Sequence, residues 1–113
     1  YMSSYYRKNG GGASRMNIYE FVNSKELIGT ALTNDVSTWT KTSIYGTNTT
    51  SATSYKALVY GACGTYTAGM YTEWDNVLVV DLTETFGSGN EPDKAWCDAN
   101  IDWFEGSKII YKY

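Results

Sequence analysis

Aromatic and acidic side chains are the groups in this sequence best suited to bind or transform a ligand. The 113 residues include eleven tyrosines and four tryptophans but no histidine. Aromatic ring faces pack against the C–H groups of sugars, while neighbouring amide, carboxylate and lysine side chains bond the sugar hydroxyls. The tyrosines that we expect to line such a carbohydrate-binding surface are Tyr19, Tyr45, Tyr60, Tyr66 and Tyr71. A structural role at core edges and in cross-strand pairs is the alternative for each of them.

Groups suited to catalysis are sparse in the sequence. The absence of histidine removes the commonest general base, the Ser-His-Asp and Cys-His arrangements and most zinc sites. The segment GSGNEPD also lacks the Gly-Lys-Ser/Thr of a phosphate-binding loop. Two carboxylates can hydrolyse a glycoside, but solvation of strand ends and loops is the more ordinary role for the acids available, Glu73, Asp75, Asp81 and Glu84. We therefore expect a protein that is not an enzyme.

Charge and hydropathy limit the classes of partner that we expect. Nine basic and twelve acidic residues give a net charge of −3, without the basic stripe that phosphate backbones require, so nucleic-acid binding is not expected. No apolar stretch approaches the roughly 20 residues of a membrane-spanning helix, so no membrane span is predicted. The hydrophobic content of 42% is adequate for the core of one domain. Cys63 and Cys97 either form one disulfide or remain two buried thiols.

Apolar–polar alternation, broken by Gly and Ser/Thr turns, predicts an antiparallel β-sandwich. Residues 23–35 fit a short strand or an irregular crossing, and the other predicted strands are 1–8, 14–22, 36–45, 55–62, 74–80 and 108–113. The run NGGGA, residues 9–13, predicts a hairpin that pairs the first two strands. We expect Met16, Ile18 and Val22 to face the core. Trp39 is either buried in the core, which we favour, or an exposed stacking platform. The polar segment 46–54 is a candidate rim of a binding site.

The stretch from Trp74 to Gly106 is the most specific part of the sequence. Its apolar run VLVV, residues 77–80, suits a strand that is covered on both faces. A loop is predicted over 83–90, after which Pro92 favours one short helix over 93–100, with Asn90 as the capping residue. These features predict a segment that closes a sandwich rather than a catalytic or phosphate-binding loop.

A family resemblance lies in the same stretch. The run DLTETFGSGNEPDKAWCDANIDWFEG, with its LTxTFGxGNEP core, resembles the C-terminal segment of many phage tail, fibre and surface proteins of Gram-positive hosts. The strands YMSSYYRK and MNIYEFV loosely resemble paired strands of carbohydrate-binding jelly rolls. The resemblance implies an all-β, antiparallel, jelly-roll-like sandwich with one short helix near the C-terminus. Residues 1–113 would form a single domain of this type, which is small enough to indicate missing N-terminal strands or a fragment of a longer chain.

The resemblance also implies a function. Proteins of this kind are non-catalytic virion or extracellular surface modules, which serve host-glycan attachment or decoration of a fibre or capsid. The expected partners are a cell-surface glycan and either further copies of the chain or other virion proteins. Such jelly rolls often hold a structural calcium ion with an acid at the position of Asp75, and no other cofactor is expected. The alternative hypothesis is a purely structural, self-assembling fibre subunit that is completed by strand exchange between chains.

Overall fold

The fold is mostly β, as a computed structural model of residues 1–51, 53–61 and 67–102 describes it. The strands form two antiparallel three-stranded sheets, with the orders β4-β1-β6 and β3-β2-β5. The antiparallel all-β architecture that the sequence predicts is thereby confirmed. The elements in chain order are β1 (Met2–Asn9), β2 (Ser14–Glu20), β3 (Glu26–Leu32), β4 (Val36–Ile44), β5 (Tyr55–Tyr60), β6 (Tyr71–Val79), α1 (Leu82–Phe86) and α2 (Lys94–Asn100).

Strand β1 is the centre of the first sheet, and its partners are distant in the sequence. It pairs with β4 on one side and β6 on the other, whereas β2 lies in the second sheet. The predicted β1–β2 hairpin is therefore wrong. Gly10 and Gly11 adopt φ values of 65° and 77°, a backbone that favours glycine, and the NGGGA segment carries the chain from one sheet to the other. The inward faces of the two strands pack against each other through Met2 and Met16, so the strands do not lie side by side in one sheet.

The core lies between these two faces. Alternate residues of β1 and β2 point inward, and Met2, Met16 and Ile44 form a buried cluster. Half-buried side chains complete the cluster: Ile18, Ile28, Val59 and Trp74. The prediction that Met16 faces the core is confirmed, and Ile18 packs against the same cluster.

Two residues that were expected in the core are exposed. Val22 is 79% exposed because β2 ends at Glu20, which leaves Val22 in the turn that follows. Trp39 is 43% exposed on the outer face of β4, where the guanidinium carbon of Arg7 lies 4.9 Å from its ring centre. A cation–π contact at the surface thus replaces the predicted burial of this ring.

Strand β6 is covered on one face only, contrary to the prediction from its VLVV run. Leu78 is buried, but Val77 and Val79 are 43% and 46% exposed. Among the described residues β6 pairs only with β1, so it is an edge strand of the first sheet. A continuous apolar run therefore marks a sheet edge here.

The segment after β6 contains two helices instead of one. The α1 helix falls within the predicted loop, and the side chain of Asp81 caps it by accepting a hydrogen bond from Glu84 N at 3.0 Å. The predicted second helix is confirmed as α2, but its cap is Asp93, which accepts from Trp96 N at 2.8 Å, and not Asn90. No helix among the described residues has the length and apolarity required to cross a membrane.

The two helices cover one end of the first sheet. Leu82 of α1 and Cys97 of α2 form a small buried cluster with Tyr1. Cys97 is a fully buried free thiol, whereas Cys63 lies outside the described residues. Burial raises the pKa of the Cys97 thiol, which therefore stays protonated at neutral pH. This cluster is separate from the core between the sheets.

Candidate functional site

The outer face of the second sheet carries the best-ordered group of aromatic and polar side chains. Because Met16 and Ile18 point into the core, the alternate residues of β2 point outward. The strand register places Tyr60 of β5 beside Arg15, Leu58 beside Asn17, and Glu26 and Lys56 on either side of Tyr19. We refer to this surface as the tyrosine face, and it consists of Arg15, Asn17, Tyr19, Glu26, Lys56, Leu58 and Tyr60.

Hydrogen bonds fix the orientation of Tyr19 on this face. Its hydroxyl donates to Glu26 Oε2 at 3.1 Å, and the Lys56 ammonium lies 5.7 Å from its ring centre. The hydrogen bond with Tyr60, desolvation and the hydrogen bond to Glu26 raise the pKa of Tyr19 to about 12. The phenol therefore remains a neutral donor at physiological pH. A ring held in this way loses little conformational freedom when a ligand stacks on it.

Asn17 lies beneath the centre of the tyrosine face and is fully buried. Its Nδ2 donates to Glu26 Oε2 at 2.5 Å, but its Oδ1 has no hydrogen-bond partner among the described residues. The side chain fits because Gly29 faces it from β3, where an added Cβ atom would overlap the Asn17 amide. Leaving a buried acceptor unsatisfied costs about 1–3 kcal/mol. Because Asn17 is fully buried, its role is to hold Glu26 from below rather than to contact a ligand.

The five tyrosines of the predicted surface do not form one site. Tyr19 and Tyr60 are brought together, although 40 residues separate them in the sequence. Tyr45 donates its hydroxyl to Pro92 O at 2.9 Å and packs against the Tyr1–Leu82–Cys97 cluster, which is a structural role. Tyr71 is 40% exposed on β6, in the other sheet. Tyr66 lies outside the described residues.

Sequence reasoning missed Asn17, Glu26 and Arg15 as members of the site. A signal for two of them was present, since the alternation of β2 places Arg15 and Asn17 on the same side as Tyr19. Glu26 offered no such signal, because its position depends on the irregular register between β2 and β3. The bulge between Ile18 and Tyr19 brings Glu26 opposite Tyr19.

A cleft of about 690 Å³ opens between the two sheets at the end near α1. The predicted rim segment contributes Gly46, Thr47 and Asn48 to its lining. Glu91 is one of the acids that line this cleft. Its carboxylate already accepts hydrogen bonds from Thr83 Oγ1 at 2.7 Å and from Gly89 N at 2.8 Å. The bond from Thr83, then the backbone donors, hold the pKa of Glu91 below its usual value. Its charge thus stabilises the loop rather than a ligand.

The acids considered for calcium binding and for hydrolysis have other roles. Asp75 is exposed, and its Oδ1 accepts from Asn76 N at 2.8 Å. Within the described ranges no three acidic, cysteine or histidine side chains are grouped so that they could hold a metal ion. A calcium ion at Asp75 stays a prediction from the resemblance. Glu73 forms an ion pair with Arg7, and Asp81 caps α1.

Comparison with known proteins adds no assignment. The chain matches no protein-family model, and no curated protein or solved structure is significantly similar to it. Any assignment of function must therefore rest on the geometry of the site and on the residues of the sequence.

Proposed function

We propose that the chain is a non-catalytic carbohydrate-binding module, folded as a jelly roll, that binds glycans on the tyrosine face. The observation that carries the proposal is the pairing of Tyr19 and Tyr60 on an open sheet surface, with amide, carboxylate and cationic side chains around them. Rings of this kind supply stacking area, and the surrounding groups supply hydrogen bonds to hydroxyls.

The surroundings of the two rings support a sugar better than an apolar ligand. Leu58, between them in the register, is 39% exposed and offers a small apolar patch. The other neighbours on the face are polar, and Glu26 Oε2 already accepts two hydrogen bonds. An amphipathic ligand with C–H faces and hydroxyl edges matches this mixture. The resemblance of the LTETFGSGNEP stretch to phage surface proteins supports a location on a virion or another extracellular structure. The proposed partner is a cell-surface glycan.

Removal of either ring is expected to weaken glycan binding. Tyr19→Ala and Tyr60→Ala should each lower affinity roughly 5- to 30-fold, because an aromatic contact near the centre of an interface contributes one to two kcal/mol or more. A glycan array with the wild-type protein, followed by calorimetry on the best ligand, measures the effect. Tyr71→Ala serves as the matched control, since it removes an exposed ring from the other sheet. Unchanged binding by both face variants would count against the proposal.

A second candidate function, self-assembly into a fibre, is favoured by strand β6. Its nine residues lie at a sheet edge among the described strands, and they include the exposed Val77 and Val79. Unblocked edges of this type pair with strands of other chains. On this hypothesis β6 accepts a strand from a neighbouring copy and completes the sandwich between chains.

Sedimentation velocity tests the assembly hypothesis. The wild-type protein should associate with rising concentration, and Val77→Lys should shift it to monomer because a charged side chain blocks edge pairing. Val22→Lys is the control, since it places the same charge on a side chain that is 79% exposed in a turn. A wild-type protein that stays monomeric throughout the concentration series would rule out this function.

A further inference from the structure

We infer that the tyrosine face selects acidic glycans and that Arg15 binds their anionic group. The inference rests on the proposed function, and it names the ligand class and the residue that determines specificity. Its basis is the position of Arg15, the pairing of the charges around it and the space beside it.

Arg15 is a half-buried arginine without a partner in the part of the chain that the structure describes. It forms no hydrogen bond or ion pair with any described residue, although it stands next to Tyr60 in the register. The other arginine of the chain, Arg7, forms an ion pair with Glu73 and stacks on Trp39. Both arginines lie on the outward face of a central strand, so they differ in their partners and not in their position.

The acid nearest to Arg15 on the tyrosine face is already engaged. Glu26 Oε2 accepts from Asn17 and Tyr19, and Glu26 lies opposite Tyr19, which is four residues along β2 from Arg15. Lys56 adds a second positive charge on the same face, where it donates to Ser24 Oγ at 2.8 Å. The face therefore carries two cations and one anion, whereas the whole chain carries a net charge of −3. Positive charge is concentrated where the aromatic rings are.

The strand on the other side of β2 leaves room for a ligand beside Arg15. Ala31 faces Arg15 from β3 and is small, whereas the space over Gly29, which faces Asn17, is filled by the Asn17 amide. On the β5 side, Tyr60 and Leu58 rise above the sheet in the same two rows. Arg15 is therefore flanked on the sheet surface by a small residue, Ala31, on one side and by an aromatic residue, Tyr60, on the other.

The chemistry of the guanidinium group determines the ligand class. Its planar set of donors matches the oxygens of a carboxylate or phosphate and forms two parallel, charge-assisted hydrogen bonds. A sugar stacked on Tyr60 would bring an acidic substituent to the neighbouring position in the register. The shared feature of suitable ligands is an oxyanion on a sugar chain, which a uronic acid or a sugar-phosphate polymer provides.

Affinity measurements with matched acidic and neutral glycans test this inference. The probes are an oligogalacturonate, its methyl-esterified and therefore uncharged counterpart, and a poly(glycerol phosphate). The wild-type protein should bind one of the two acidic probes at least about 10-fold more tightly than the ester, with an affinity that falls as salt rises. Whether the carboxylate or the phosphate probe binds distinguishes the two sources of the oxyanion.

The variants assign the preference to a residue. Arg15→Gln should lose the 10- to 100-fold advantage of the acidic probe that a charged hydrogen-bonding pair provides. Arg7→Gln, the same change on the other sheet, should retain it, and thermal unfolding confirms that both variants fold. Equal binding of acid and ester, in a manner that depends on Tyr19, would overturn the inference while leaving the proposed function intact. Binding of neither acidic probe, or a preference that survives Arg15→Gln, would also overturn it.

Discussion

Replacement of Asp35 by asparagine is expected to lower the midpoint of thermal unfolding by roughly 10–20 °C. Asp35 is the counter-charge of Lys8, whose side chain is only 1% exposed on the inward face of β1. Lys8 Nζ lies 2.9 Å from Asp35 Oδ1, which also accepts from Gly10 N at 2.9 Å. Asparagine preserves the shape of the side chain but leaves the buried ammonium without an anion, and an uncompensated buried charge is strongly destabilising.

The control for this prediction removes the charge that requires compensation. Lys8→Met keeps a long side chain of similar volume in the sandwich, and exchange of a buried ion pair for an apolar group is often neutral or stabilising. The double variant Lys8→Met/Asp35→Asn should therefore be close to Lys8→Met alone in melting temperature. If Asp35→Asn is as stable as wild type, or if Lys8→Met does not suppress its effect, the ion pair does not stabilise the fold.

The Lys8–Asp35 ion pair should also make the stability of the fold depend on pH in acid. The hydrogen bond from Lys8, and then that from Gly10, lower the pKa of Asp35 from its ordinary value. A carboxyl whose folded pKa is depressed contributes stability above its unfolded pKa of about 4, and this contribution is lost as pH falls through the folded pKa. Unfolding measured from pH 6 down to pH 2 should show a steeper loss for wild type than for the double variant.

Local sequence patterns were sufficient to predict the strands but not their partners. The alternation in residues 1–8 and 36–45 predicted β1 and β4 almost to the residue, because a period of two is a property of the strand itself. Pairing is a property of the whole fold. The NGGGA segment is compatible both with a hairpin and with a crossing between sheets, and only the packing of the apolar faces of β1 and β2 selects the crossing.

The site shows the same division between local and distant information. Exposed tyrosines were a reasonable prediction from composition, but no local pattern joins Tyr19 to Tyr60 or separates Tyr45 from both. The register between β2 and β5 places both rings on one face, Tyr60 opposite Arg15 and Tyr19 opposite Lys56, and a side-chain hydrogen bond joins them. A hydrogen bond to Pro92 O and the helical segment draw Tyr45 away. The α1 helix, in contrast, was accessible from sequence, since Asp81 and Glu84 have the spacing of an N-terminal cap followed by an acid three residues later.

The second large effect is expected at Asp98, where α2 is fastened to the first sheet. Tyr1 Oη and Ser43 Oγ donate to Asp98 Oδ1 at 3.1 and 2.5 Å, and Lys94 Nζ lies 2.6 Å from Oδ2. Burial alone would raise the pKa of Asp98, but the hydrogen bonds from Lys94, Ser43 and Tyr1 outweigh it and hold the pKa below its ordinary value. The carboxylate is therefore stabilised as the charged acceptor that joins a helix to two strands.

Asp98→Ala is expected to reduce the free energy of unfolding by about 2 kcal/mol, because it removes the charge-assisted hydrogen bonds from Tyr1, Ser43 and Lys94, of which Lys94 retains its bond to Ser43 Oγ. Asp98→Asn, which retains Oδ1, should lose less. Asn100→Ala provides the control on the same helix, since its side chain bonds only Trp96 O among the described residues, and it should change stability by no more than about 0.5 kcal/mol. Denaturant unfolding at neutral pH measures all three, and equal losses for Asp98→Ala and Asn100→Ala would contradict the prediction.

The attachment of α2 to the first sheet through Asp98 is expected to depend on pH but not to affect the tyrosine face. Since the folded pKa of Asp98 is depressed, its contribution is present above an unfolded pKa of about 4 and is lost as pH falls below it, so Asp98→Ala should flatten the acid side of the stability profile. Hydrogen exchange should increase first in α2 and the strands it contacts. Because the tyrosine face lies on the other sheet, glycan affinity measured at neutral pH should be the same in Asp98→Ala and wild type, provided that the variant remains folded. A parallel loss of affinity would mean that α2 supports the binding surface as well as the sandwich.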